Sequence, residues 1–132
     1  MKKQKDWRKE ADRLFSLLVR QENADEEGMV TCCTCGKAMH WRKIHCGHFM
    51  SRRHQATRFE KENTAPQCSG CNTFGQGKQY EFGMYLDKKY GKGTAQEMCE
   101  LSKTELHRKQ SDFKELCEQL LEELTDNQYL TR

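Results

Sequence analysis

Apolar positions keep a helical rhythm at the two ends of the chain and lose it in the middle. Trp7, Ala11, Leu14, Phe15 and Leu18 recur at helical spacing with charged residues between them, which predicts an amphipathic helix over 5–24. The acidic stretch that follows reaches Gly28 and ends it. At the other end, Leu106, Phe113, Cys117, Leu120 and Leu124 form a narrow stripe of near-heptad spacing. Thr94 with Glu97, and Ser102 with Glu105, have the spacing of capping boxes, so the tail over 94–132 is expected to hold a short helix and then a long one from Lys103 to about Leu124. The stripe suits packing on the N-terminal helix and equally suits a second copy of the chain. A further helix is expected over 78–90, with Tyr80, Met84, Tyr85 and Leu86 inward and Gly91 and Gly93 closing it.

The middle reads as β-structure and turns. Met29 to Cys33 is short, apolar and partly β-branched, which predicts a strand; residues 38–44 alternate with an imperfect period of two, and 47–51 would return as the second strand of a hairpin. Residues 52–62 are polar and basic without periodicity and read as a loop, either lying on nucleic acid or simply exposed. Pro66 excludes a continuous helix through Thr64 and Ala65, so the next helix is expected to start near Cys68 and run to Phe74.

Composition makes this core too thin to stand alone. At 132 residues, with 35% hydrophobic and 33% charged, the chain is expected to be one domain that needs a further tie at its centre. Eight cysteines supply it. Cys32 and Cys35 form one C-x-x-C and Cys68 and Cys71 another, and without a leader pattern or an apolar run of membrane length the expected setting is the reducing cytoplasm, where paired motifs of this kind read as structural zinc. Cys33 is left over and is expected to be a small buried side chain; Cys46 has no assigned role.

Charge adds a partner. The net charge is only +3, yet residues 37–61 hold seven Lys or Arg against the single acid Glu60, while five basic residues face nine acidic ones from Ala95 onward. A cationic block beside a metal motif points to a polyanion, most simply the backbone of DNA, with Arg42, Lys43, Arg52, Arg53, Arg58 and Lys61 as its contacts.

The 32 residues between the two C-x-x-C motifs need a structured insert, and the predicted hairpin fills it. The order knuckle, hairpin, loop, knuckle, helix is a treble-clef layout. With His48, Asn63 and Asn72 placed on it, the chain resembles the HNH or ββα-metal nucleases and is similar to phage endonuclease VII, whose four zinc cysteines frame the catalytic hairpin. His45-Cys-Gly-His48-Phe, Arg58-Phe59, Asn63, Gln67-Cys68 and Cys71-Asn72 resemble more closely still the NinG (Rap) recombination nucleases of lambdoid phages, over residues 32–91.

That resemblance implies an α+β fold, a zinc-bound treble-clef ββα-metal core over 29–91 flanked by N- and C-terminal helices, and a metal-dependent endonuclease of branched DNA such as Holliday junctions. It implies His48 as general base, Asn72 as ligand of a catalytic Mg²⁺ or Mn²⁺, and Asn63 as the residue that bridges the hairpin loop and fixes the imidazole. An imidazole with an ordinary pKa of about 6.5 suits proton abstraction at cellular pH. One position departs from the pattern: endonuclease VII-like sites carry an aspartate before the catalytic histidine, and here Gly47 stands there, with no acid between Gly36 and Phe59. His45 shares the strand parity of Gly47 and is a further candidate ligand. The other readings are a nickase or restriction-type nuclease of ordinary duplex, and a zinc module that binds DNA without cutting it. Resolution of a four-way junction takes two cuts, which would call for a homodimer, with the C-terminal stripe as its surface.

Overall fold

The computed structural model describes residues 4–129. They form two compact units, one built from the ends of the chain, up to Leu18 and from His107, and one from Val19–Leu106. Among the described residues no helix is long and apolar enough to cross a membrane.

The terminal unit is a pair of helices, α1 (Trp7–Glu22, of which the part to Leu18 belongs here) and α5 (Gln110–Asp126). Ala11, Leu14, Phe15 and Leu18 are buried on one, and Phe113, Cys117, Leu120 and Leu124 on the other. The Trp7 amide donates to Gln110 Oε1 at 2.8 Å, and the Cys117 thiol to the Trp7 carbonyl at 3.6 Å, so the near-heptad stripe packs within the chain. The expected start of the long helix at Lys103 is corrected: α5 begins at Gln110, where Asp112 Oδ2 accepts the Lys109 amide at 2.8 Å, and Leu106 lies outside the helix and is exposed. Ser102 ends a helix where capping-box spacing expected it to open one.

The central unit contains two antiparallel ribbons. Strand β1 (Met29–Thr31) pairs with β2 (Ala38–His40), and β3 (His45–His48) pairs with β4 (Thr64–Gln67), in the register His45 with Gln67, Cys46 with Pro66, Gly47 with Ala65 and His48 with Thr64. This corrects the expected hairpin of 38–44 with 47–51. The reason lies in Trp41 and Ile44, both buried: the Trp41 amide bonds to Gly28 O and the Lys43 amide turns back on His40 O, each at 2.9 Å, so the chain folds inward at 41–44 and cannot run on as a strand. Pro66 blocks a helix as expected, but the residues around it form β4, and its carbonyl takes the Cys33 amide at 2.9 Å.

Residues 52–62, read as an exposed loop, instead carry a one-turn helix α2 (Gln55–Arg58) with Ala56, Thr57 and Arg58 buried, and a 3₁₀ turn follows at Lys61–Asn63. After β4 comes a wide π-helical turn, Gly70–Phe74, then α3 (Gln79–Tyr90) and α4 (Thr94–Ser102). Phe49, Ala65, Phe82, Leu86 and Met98 make the central core, with Cys33, Met50 and Tyr85 packed against it. The expected inward face of α3 holds for Leu86, which is buried, and for Tyr85, which packs on the core, and is corrected at its other two members. Tyr80 and Met84 are 75% and 53% exposed, and Phe82 is the buried aromatic, its ring 5.9 Å from that of Phe49.

Candidate functional site

The first C-x-x-C is the turn of the β1–β2 ribbon. The Cys32 amide bonds to Lys37 O at 2.8 Å and the Gly36 amide to Cys32 O at 3.0 Å, and Gly36 takes a φ of +79°, which a side chain would strain. The second C-x-x-C follows β4 directly, and the Cys68 amide donates to Cys32 Sγ at 3.3 Å. Together these turns bring the ligand atoms of Cys32, Cys35, Cys68 and Cys71 within 4.8 Å of one another, with Cys35 Sγ 3.7 Å from Cys68 Sγ. Four thiolates at the usual zinc–sulfur length of about 2.3 Å stand about 3.8 Å apart on a tetrahedron, so this cluster fits a structural zinc.

The thiols are not equivalent. Burial pushes Cys32 up, but the Cys68 amide, the Thr34 hydroxyl at 3.4 Å and further backbone amides outweigh it and bring Cys32 down to about 6. The Lys37 amide favours the Cys35 thiolate, yet desolvation and the neighbouring sulfurs leave that thiol up at about 12, and Cys71 is also raised despite the Thr34 hydroxyl that lowers it. Cys33 is raised by burial, a half-buried and inert thiol as its place against the core suggests. Cys46 is half-buried on β3.

The His and Asn residues lie on β3 and on the segments that close over it. Asn63 is fully buried. Its Nδ2 donates to Met50 O at 3.0 Å and Thr57 O at 3.1 Å, and its Oδ1 accepts the Met50 amide at 2.8 Å, which ties the end of β3 to α2. His48 Nε2 lies 2.9 Å from Arg58 O. A carbonyl can only accept, so Nε2 carries the hydrogen and the neutral ring keeps its basic lone pair on Nδ1. His45 stands on β3 opposite Gln67, and its Nδ1 accepts from Asn72 Nδ2 at 3.1 Å, which joins the strand to the π-helical turn beside the second cysteine pair. The structure thus brings His45 and Asn72 together and sets His48 and Asn63 in the bracing between β3 and α2.

The cationic residues divide. Arg42, Lys43, Arg52 and Arg53 are exposed, Arg42 with its guanidinium 5.0 Å from the Trp41 ring centre. Arg58 is only 5% exposed and donates to Arg52 O at 2.6 Å, and Lys61 pairs with Glu22 at 2.8 Å.

Two features had no assigned role in the sequence reading. Gln67 is fully buried, with Nε2 donating to Gly77 O at 2.8 Å and Thr34 Oγ1 at 3.2 Å, while its Oε1 has no partner. A Cβ added at Gly47 would run into that Oε1 and come within 2.8 Å of Gln67 Cβ. The second is the turn Gln76-Gly77-Lys78, three consecutive residues at positive φ, held by Gln67 and by the Gln79 side chain on Phe49 O at 2.8 Å. A Gln beside a C-x-x-C is too common to mark its role in advance, and no local pattern forces positive φ at Gln76 and Lys78.

Ribbons, buried Asn bracing and a four-cysteine cluster define the class: a small α+β protein organised on paired cysteine knuckles able to hold zinc. The chain belongs to the NinG family, since the family model described as the bacteriophage lambda NinG protein matches residues 1–128. No curated protein and no solved structure matches it.

Proposed function

We propose that this protein is a metal-dependent DNA endonuclease of the HNH type that acts in phage recombination, hydrolysing phosphodiester bonds in branched DNA such as four-way junctions. The observation that carries the reading is the fixed tautomer of His48. An imidazole whose Nε2–H is committed to Arg58 O presents Nδ1 as a base of defined direction, and Asn63 ties Met50, which follows His48, to Thr57, which precedes Arg58. His48 Nδ1 takes a proton from water, the water oxygen attacks phosphorus in line, and the 3′ oxygen leaves.

Asn72 and His45 are the residues that would hold Mg²⁺ or Mn²⁺; the Asn72 carboxamide oxygen is the hard donor and the His45 imidazole the weaker one, and the Asn72 amide nitrogen already meets His45 Nδ1 at 3.1 Å. When bound, such an ion supplies charge stabilisation at the phosphate and the leaving oxygen. The exposed Arg42, Lys43, Arg52 and Arg53 suit the DNA backbone. Phe74, two residues past Asn72 and 84% exposed, offers a ring face on which an unpaired base at a branch can stack.

The test uses the full zinc-loaded chain with labelled four-way junction and matched linear duplex, each with Mg²⁺ or with EDTA. Cutting of the junction only with metal is expected. Equal cutting of the linear duplex would move the reading to a duplex nickase, and tight binding without cutting under any metal would leave a zinc module that only binds DNA.

A further inference from the structure

We propose that Gln67 supplies the oxygen ligand that related sites take from an acid at the position of Gly47. The inference rests on the cation site of the proposed function and identifies one more member of it. Three observations meet at this point. Position 47 lacks a side chain, and the space a side chain would enter is filled by Gln67, whose Oε1 a Cβ at residue 47 would run into. That oxygen is buried without a hydrogen-bond partner. It also cannot turn away, because Nε2 of the same amide is fixed on Gly77 O and Thr34 Oγ1. Exchanging the two amide atoms would set Oε1 against the Gly77 carbonyl and lose that bond, so the orientation is determined by its partners.

Register puts this oxygen on the face of His45. Gln67 is the direct cross-strand partner of His45, and His45 and Gly47 share a face of β3, so Gln67, His45 and the missing Cβ of residue 47 lie on one face of the β3–β4 ribbon. Asn72 reaches His45 from the π-helical turn. A neutral carboxamide oxygen is an ordinary ligand for a hard divalent cation. Gly47 and Gln67 therefore form a compensating pair: the glycine admits the glutamine, and the glutamine brings the oxygen that the glycine lacks. The same amide touches Thr34, whose hydroxyl bonds to Cys32 Sγ, so the cysteine cluster fixes the position of the ligand.

Mn²⁺ binding to the full zinc-loaded chain, followed by loss of the free-ion signal in electron paramagnetic resonance, tests this without any reaction being run. Gln67→Met keeps the volume and removes the oxygen, and at least tenfold weaker Mn²⁺ binding is expected with zinc content unchanged. Gly47→Asp combined with Gln67→Gly, which restores an acid and clears its space, is expected to regain the site. If Gln67→Met does not fold, the parent decides: the side-chain carbonyl carbon of Gln67 should shift on Mg²⁺ titration with the same midpoint as the signals of His45 and Asn72. A folded Gln67→Met that binds Mn²⁺ as the parent does, or a Gln67 carbon that stays still while His45 and Asn72 respond, overturns this proposal alone. A parent that binds no Mn²⁺ overturns it together with the cation site it rests on.

Discussion

His48 and Asn63 differ in what their loss should cost, because one is placed for chemistry and the other for structure. His48 is half-buried at the end of β3 and donates one bond to the Arg58 carbonyl, so His48→Ala should cost at most about 1–3 kcal/mol and leave DNA binding close to the parent while junction cleavage falls by about 10² to 10⁴. Cleavage at the parental rate would remove His48 from the role of base. Asn63→Ala deletes one acceptor and two donor bonds at a fully buried point and strands the backbone groups of Met50 and Thr57. Each buried group left unsatisfied costs about 1–3 kcal/mol, so chemical denaturation should show a loss of several kcal/mol along with the loss of cleavage. A variant as stable as the parent would mean that water replaces the amide without penalty.

At the level of elements, the cysteine knuckles and α3 give the sharpest tests. Zinc binds thiolates, and Cys32 titrates near 6 while Cys35 sits near 12 and Cys71 is raised. Above about pH 6 the Cys32 thiolate is in place, and binding must expel protons from Cys35 and Cys71. Below it Cys32 must give up a proton too, so zinc affinity, measured by competition with a chromophoric chelator, should fall with a steeper slope on the acid side of about pH 6. A slope constant from pH 5 to 8 would contradict the ordering of these thiols. In α3, Phe82→Ala should cost about 3–5 kcal/mol, while Tyr80→Ala should stay within about 0.5 kcal/mol. The sequence pattern placed Tyr80 inward and left Phe82 unassigned, since Tyr80, Met84 and Tyr85 share a helical face and the burial of Phe82 depends on the Phe49 ring, which lies just past β3 and far away in the chain. The cysteine cluster was legible because fixed short spacing determines which sulfurs can meet. Strand pairing was not, because it depends on the inward turn of Trp41 and Ile44, which no local period records. Of the site residues, His45 and Gln67 were visible as members of motifs, but nothing local in the sequence assigned Gln67 a role.

For the whole molecule, the terminal stripe now has an owner. Phe113, Cys117, Leu120 and Leu124 are buried in the unit that also holds the first part of α1, so charges placed there should unfold that unit. Phe113→Glu with Leu120→Glu is expected to lose helical circular dichroism and several kcal/mol of stability. Light scattering of the parent, free and on junction DNA, then reports assembly separately; a variant that keeps parental helicity and only halves its mass would return the stripe to the dimer. The pairing of the two chain ends also has a consequence for synthesis. The central residues 19–106 can complete their own ribbons and cysteine cluster while translation continues, whereas Ala11, Leu14, Phe15 and Leu18 wait for a partner about 100 residues downstream. At about 5–20 residues per second, the first helix emerges from the ribosome and keeps its apolar face open for several seconds before α5 arrives to cover it.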